Sequence, residues 1–264
     1  VEVRTEDQTL ICDGGTGLRE LGIDLLRRHH NQPMTLHLFF SHPHWDHIQG
    51  FPFFTPAYIP TNTLHVYGAR QDDHTIHDLL SGQMQSVYFP VNFNDLGSRL
   101  LTTELAPETL IGPVRVTRYD QTHPGGSIAF CFEHQGRKVV YSTDHEHDLL
   151  LPDKELPEKK PGMLRPMPGD FLEFVRGADL LICDGQYTDA EYSKKVGWGH
   201  PRASTVVDFA VQAEARQLAI FHHDPMHSDA EVDTIVALCN SRARSHGSKL
   251  VVFGAREGLE LKIG

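Results

Sequence analysis

The chain is poor in cysteine. Cys12, Cys131, Cys183 and Cys239 stand far apart, three of them in apolar runs, and form no Cys-x-x-Cys pair. That argues against a disulfide framework and reads as buried, reduced thiols in a cytoplasmic protein. No apolar run approaches the roughly 18–20 residues that span a bilayer; stretches such as 36–40 and 178–183 are strand-sized. A basic start followed by an apolar stretch is missing, so no secretory signal is visible. The chain opens at Val1, already inside a strand-like run, which leaves a preceding segment open. Positive charge is also short: 24 Lys plus Arg against 35 Asp plus Glu give a net charge of −11. Nucleic-acid binding depends on cations that release counterions from phosphates. Extended nucleic acid is therefore disfavoured as a partner, and no membrane partner is expected.

What is present is a globular balance. The 264 residues are 39% hydrophobic and 22% charged, enough for a buried core and read as one domain spanning 1–264. Hydrophobic periodicity predicts a hairpin from 1–3 and 9–12, then a helix at 18–30. Strands follow at 35–40, 64–67, 114–119, 127–133, 137–142, 179–183, 217–221 and 249–253. Further helices are expected at 72–83, 170–176, 204–215 and 228–241. Ser204 is a candidate N-cap, and Ser228-Asp-Ala-Glu has the pattern of a capping box. The proline-rich stretch 152–170 reads as a surface loop or lid. Residues able to bind metal or move protons recur where strands end: Asp13, His42 to His47, Asp144, Asp184 and His222.

The unusual feature is 18 histidines, clustered rather than spread. His42-x-His44-x-Asp46-His47 puts four ligand-type side chains into six residues. Neutral imidazole and carboxylate together suit zinc, manganese or iron. So many ligands in one short loop point to two ions rather than one.

This motif, following an apolar strand, resembles the metallo-β-lactamase superfamily, and the resemblance covers nearly the whole chain. The strand–Asp–Gly turn at 10–17 is similar as well. The resemblance implies an α/β fold, an αββα four-layer sandwich with the metal site at one edge of the two sheets. It implies two divalent metal ions, zinc first, with manganese or iron as alternatives. By the same resemblance His42, His44 and His123 hold one ion, Asp46, His47 and His222 the other, and Asp144 bridges them. Adjacent His223 is the alternative to His222. Asp13 is expected to fix a ligand tautomer, or else to be a turn residue.

Asp184, at a strand end, and His200 in Gly197-Trp198-Gly199-His200-Pro201 are similar to the phosphodiesterase side of the superfamily, which includes RNase Z. There an acid orients a histidine that contacts phosphate or protonates the leaving oxygen. The chain departs from RNase Z in having Asp184-Gly185 for Glu-Ala and no obvious Gly/Lys-rich arm to clamp tRNA. The expected partner is thus a small phosphodiester, cyclic nucleotides being one candidate class. The implied reaction is hydrolysis by a metal-bridging hydroxide, with Asp46, Asp184 and His200 as catalytic residues. A thioesterase or lactonase on the same scaffold, and a non-catalytic metal-binding sensor, are the competing readings. Phe51, Phe53, Phe54 and Tyr58 read equally as pocket wall, core or dimer surface, so a homodimer is left open. His145 and His147 stand as alternative substrate contacts, and Trp198 as a loop-packing or base-stacking residue.

Overall fold

The computed structural model describes residues 1–152, 160 and 162–264. They fall into two compact units, Val1–Gly112 and Pro113–Gly264. Each unit combines a sheet with helices.

In the first unit β1 (Glu2–Arg4), β2 (Thr9–Cys12), β3 (Thr35–Phe40), β4 (Thr63–Gly68) and β5 (Arg99–Glu104) lie side by side in that order. β1 is antiparallel to β2, and β2 to β5 are parallel. Strands of a covered parallel sheet read as continuous apolar runs. Here Leu36, Leu38, Phe40, Leu64 and Val66 join Leu18 and Leu25 of the helix Gly17–Arg28 in one buried cluster. Phe51 and Phe54 belong to the same cluster, while Phe53 is exposed. β6 (Glu108–Ile111) follows near the end of the unit.

Three expectations shift. The helix placed at 72–83 starts only at Ile76, because Thr75 and Asp78 form a reciprocal cap that fixes its first turn. The turn at 42–47 contains a helical turn, Trp45–Ile48. β5 was not foreseen, since its segment Arg-Leu-Leu-Thr-Thr-Glu neither alternates nor stays apolar.

β3 also buries a histidine. The His37 ring stacks on that of His65 at 4.8 Å, and its Nδ1 lies 3.2 Å from the Tyr67 hydroxyl. Burial, with His65 alongside, pulls its pKa from 6.5 to about 4. The unfolded chain therefore takes up a proton at this residue near pH 6.5, and the folded chain only near pH 4. Stability from this group is full above the unfolded value and falls as pH drops through the window. Thermal unfolding scanned from about pH 7 to about pH 4.5 is expected to show a falling Tm, with a shallower slope in His37→Phe. Identical slopes would remove His37 from the acid sensitivity.

In the second unit β7 (Val114–Gln121), β8 (Ser127–His134), β9 (Arg137–Ser142), β10 (Leu180–Asp184), β11 (Gln217–Phe221) and β12 (Val251–Gly254) are ordered β12-β11-β10-β9-β8-β7. β7, β8 and β9 pair antiparallel, and β9 to β12 run parallel. Helices Gly169–Val175, Ala203–Gln212 and Asp229–Ser245 supply Phe171, Val206, Phe209 and Ile235 to a core shared with Leu181, Leu218 and Val252.

The capping box at Ser228 is present, with Glu231 as its partner. Ser204 is not the N-cap of its helix. The helix begins at Ala203, the extended Arg202 precedes it, and the Ser204 hydroxyl donates to Asp189 at 2.5 Å. Of the stretch 152–170 expected to be a loop or lid, 153–159 and 161 lie outside the described residues. Its far end is anchored: the Arg165 backbone N–H and Nη1 donate to Asp208 at 3.1 and 2.9 Å, and Arg242 donates to the same carboxylate. All four cysteines are free and buried, and burial pushes Cys12 and Cys239 up to about 12. No helix among the described residues is long and apolar enough to cross a membrane.

Candidate metal centre and acid–base pair

In the first unit the ligand-type residues follow from strand register. Cys12 sits opposite Phe39, so parallel β2 and β3 deliver Asp13 and Ser41 to the same sheet edge. The carboxyl ends of parallel strands are where such folds build sites. Asp13 accepts from Ser41 N at 2.7 Å, Ser41 Oγ at 2.9 Å and His47 Nδ1 at 2.9 Å. Burial alone would raise the Asp13 carboxyl, but His47 facing it outweighs that and holds it below the usual range. With Nδ1–H donating to Asp13, the lone pair of His47 lies on Nε2, the nitrogen that ligates metals in such pairs.

The glycine turn carries the short helix. Gly14 N donates to His47 O and Gly50 N to Gly14 O, both at 2.7 Å. A Cβ on Gly15 would lie 2.3 Å from the Asp46 carbonyl oxygen, so only glycine lets the two segments meet. The result gathers imidazoles: ring centroids of His42 and His44 are 4.5 Å apart, and those of His42 and His47 4.3 Å. His42 and His47 are buried, whereas His44 and Asp46 are exposed.

The second unit carries the remaining residues, again past strand ends. Ser142 pairs with Cys183 and Asp184 with Phe221, so β9, β10 and β11 present Asp144, Asp184 and His222 at one edge. Asp144 and His222 each turn the chain with a left-handed backbone, φ 53° and 54°. Asp144 Oδ2 lies 3.6 Å from His123 Nε2 and 3.9 Å from His200 Nδ1, and its Oδ1 lies 3.4 Å from His222 Nε2. His200 Nδ1 is 2.7 Å from Asp184 Oδ2, a short charge-assisted contact. The Asp184 carboxyl is fully buried; burial raises its pKa and outweighs the opposing influence of His200 and His222. Asp144, Asp184, His200 and His222 offer ligand atoms that all lie within 4.8 Å of one another. The Gln186 amide lies 2.9 Å from His222 Nδ1, and His123 Nδ1 donates to the Gly199 carbonyl at 3.0 Å.

Within each unit, then, the residues named from sequence come together: His42, His44, Asp46 and His47 with Asp13 in the first, His123, Asp144, Asp184, His200 and His222 in the second. His223 Nε2 instead lies 3.1 Å from the Ala255 carbonyl oxygen. His145 and His147 are not substrate contacts. Both are fully buried, stacked 4.1 Å apart and packed against Phe171, and burial lowers the His145 pKa from 6.5 to about 3. Trp198 is exposed, with the Lys195 ammonium 3.8 Å from its ring centroid. Sequence reading missed Gln186, Glu146 and Asp148. The one available signal was the alternation Asp144-His145-Glu146-His147-Asp148, which puts three carboxylates at a spacing of two.

Residues 8–223 match the β-lactamase superfamily domain, and the chain belongs to that superfamily, as a metal-dependent hydrolase with the metallo-β-lactamase fold. Similarity to ribonucleases Z places it in the RNase Z-like branch: that of Halobacterium salinarum is 22% identical over 220 residues, covering 70% of this chain and 69% of that protein. Among solved structures, the metallo-β-lactamase fold protein YhfI from Bacillus subtilis aligns with a TM-score of 0.64 and 19% identity, covering 98% of this chain and 89% of that one. A diphosphatase from the PhnP family aligns with a TM-score of 0.63 and 14% identity, covering 98% and 81%.

Proposed function

We propose that this chain is a binuclear phosphodiesterase acting on a small phosphodiester. The observation that carries the reading is the acid–base pair in the second unit, where His200 is held 2.7 Å from buried Asp184 and 3.9 Å from Asp144. A metallohydrolase needs no such pair to make water reactive, but a poor leaving oxygen needs a proton. Relatives named ribonuclease Z and a neighbour named diphosphatase support chemistry at phosphorus. The net charge of −11 supports a small substrate over an extended RNA.

The donor set suits the expected ions, since imidazole and carboxylate are the ligands of zinc, manganese and iron. By the resemblance, His42, His44 and His123 would hold one ion and Asp46, His47 and His222 a second, with Asp144 a ligand they would share. Two divalent ions lower the pKa of a bound water toward neutrality and offset charge on the phosphoryl oxygens. The protein's own residues do the rest. Asp13 fixes the His47 tautomer. Asp46 takes a proton from the attacking water. Asp184 accepts from His200 Nδ1–H, and the doubly protonated ring gives its Nε2 proton to the leaving oxygen, which leaves the neutral imidazole still bonded to Asp184.

Bis-p-nitrophenyl phosphate turnover, lost with chelator and restored by zinc or manganese, is the expected result. Thioester or lactone turnover without phosphodiester turnover would replace this reading with the acyl one, and full metal occupancy with neither would leave a sensor. Asp13→Asn keeps the backbone, because asparagine tolerates φ 58°. It removes the charge behind His47, and a metal titration is expected to show affinity down about 10–100-fold. Unchanged affinity would reduce Asp13 to a turn residue.

A further inference from the structure

We infer that Glu146 is a positioning residue: a buried carboxylate that holds the loop bearing His200 and, through one peptide, the ring of His123. Its kinetic consequence rests on the phosphodiesterase reading; its structural consequence does not.

Glu146 is 1% exposed, and its carboxylate collects three donors. Oε1 accepts from Tyr192 Oη and Gly197 N, and Oε2 from Gly199 N, each at 2.7 Å. Its own backbone N–H donates to the Thr122 carbonyl at 2.9 Å, one residue before His123. One residue thus ties the Asp144 loop, the His123 turn and the loop before His200. Burial and the bond to Glu146 raise the Tyr192 phenol well above its ordinary range, consistent with a hydroxyl that donates and does not ionise.

Gly199 faces two ways. Its N–H goes to Glu146, and its carbonyl accepts from His123 Nδ1 at 3.0 Å. Its φ is 94°, and a Cβ there would meet His123 Nδ1 at 2.1 Å, so no other residue fits. Gly197 is left-handed too, with φ 85°. A loop with two such glycines has conformational freedom that must be removed before His200 can hold one direction. Amide bonds to a carboxylate are the strong kind that can do this. On the far side Asp148 accepts from Arg202 N and Nε, both at 2.9 Å, and from Thr205 Oγ1 at 2.6 Å. His200 is bracketed between these two anchors. The carboxylate ends on Gly199, the one residue that both precedes His200 and is bonded to His123.

The test is Glu146→Gln, which keeps the size but offers one acceptor oxygen for three donors. Amide hydrogen exchange of the purified protein is expected to rise at least about tenfold at Gly197 and Gly199, with strand amides unchanged. For a phosphodiester with an alkyl leaving group, kcat is expected to fall about 10–100-fold. With p-nitrophenolate, which leaves without a proton, and with metal supplied to saturation so that a looser His123 costs no ion, it is expected to change less than about threefold. In a His200→Ala background the substitution is expected to add less than about twofold. Equal losses for both leaving groups, multiplicative effects with His200→Ala, or unchanged exchange at both glycines would each overturn the inference. If the wild-type protein hydrolyses no phosphodiester, the functional reading fails and hydrogen exchange still decides the positioning. If Glu146→Gln does not fold, Tyr192→Phe and Glu146→Asp are read by the same exchange measurement.

Discussion

Asp144→Asn is expected to strip the protein of about one metal equivalent or more and to lower phosphodiester turnover at least about a thousandfold, roughly 4 kcal/mol of barrier. The substitution separates charge from shape. Asparagine accepts the left-handed φ of 53° that most residues resist. Its amide oxygen can still accept from Thr143 Oγ1, which lies 2.5 Å from Asp144 Oδ1. What vanishes is the negative charge within 4 Å of His123, His200 and His222. Elemental analysis beside a thermal melt separates the outcomes. Lost metal with a preserved melt supports the assignment of both ions to Asp144. A full metal complement at the wild-type rate would remove it from the centre.

His200→Ala is expected to keep the metals and lose about 10²–10⁴ in kcat toward a phosphodiester with an alkoxide leaving group. The loss should shrink to about tenfold or less when p-nitrophenolate leaves, because a weakly basic oxygen departs without help. Asp184→Asn should follow the same pattern. An amide in place of the carboxylate removes the negative charge that faces His200 Nδ1 and with it the partner that holds the ring as a proton donor. Equal losses with both leaving groups would make His200 a phosphate-binding residue and not a proton donor.

The site was legible wherever ligand types repeat at short spacing. His42, His44, Asp46 and His47 announce themselves because one loop holds them all. Asp144, Asp184 and His222 could be placed because each ends an apolar run, and parallel register brings such ends to one edge. The anchors behind them were not legible. Glu146 serves Gly197 and Gly199, more than fifty positions away in the chain, and periodicity carries no trace of such a pairing. β5 escaped for a related reason: its two threonines and glutamate have no pattern of their own and become a strand by pairing with β4. The opening of the helix at Ala203 was displaced by one position, because Asp148 from a distant loop captures the Arg202 N–H that marks the boundary.

The positive φ angles at Asp13, Asp144 and His222 bear on how the molecule should be probed. At these three sites an alanine scan deletes a functional group and imposes a conformational penalty in the same stroke, so its losses overstate chemistry. Asparagine and glycine are the substitutions that spare the backbone. A mutational library scored at these positions should rank them above alanine in folding yield, whatever they do to turnover.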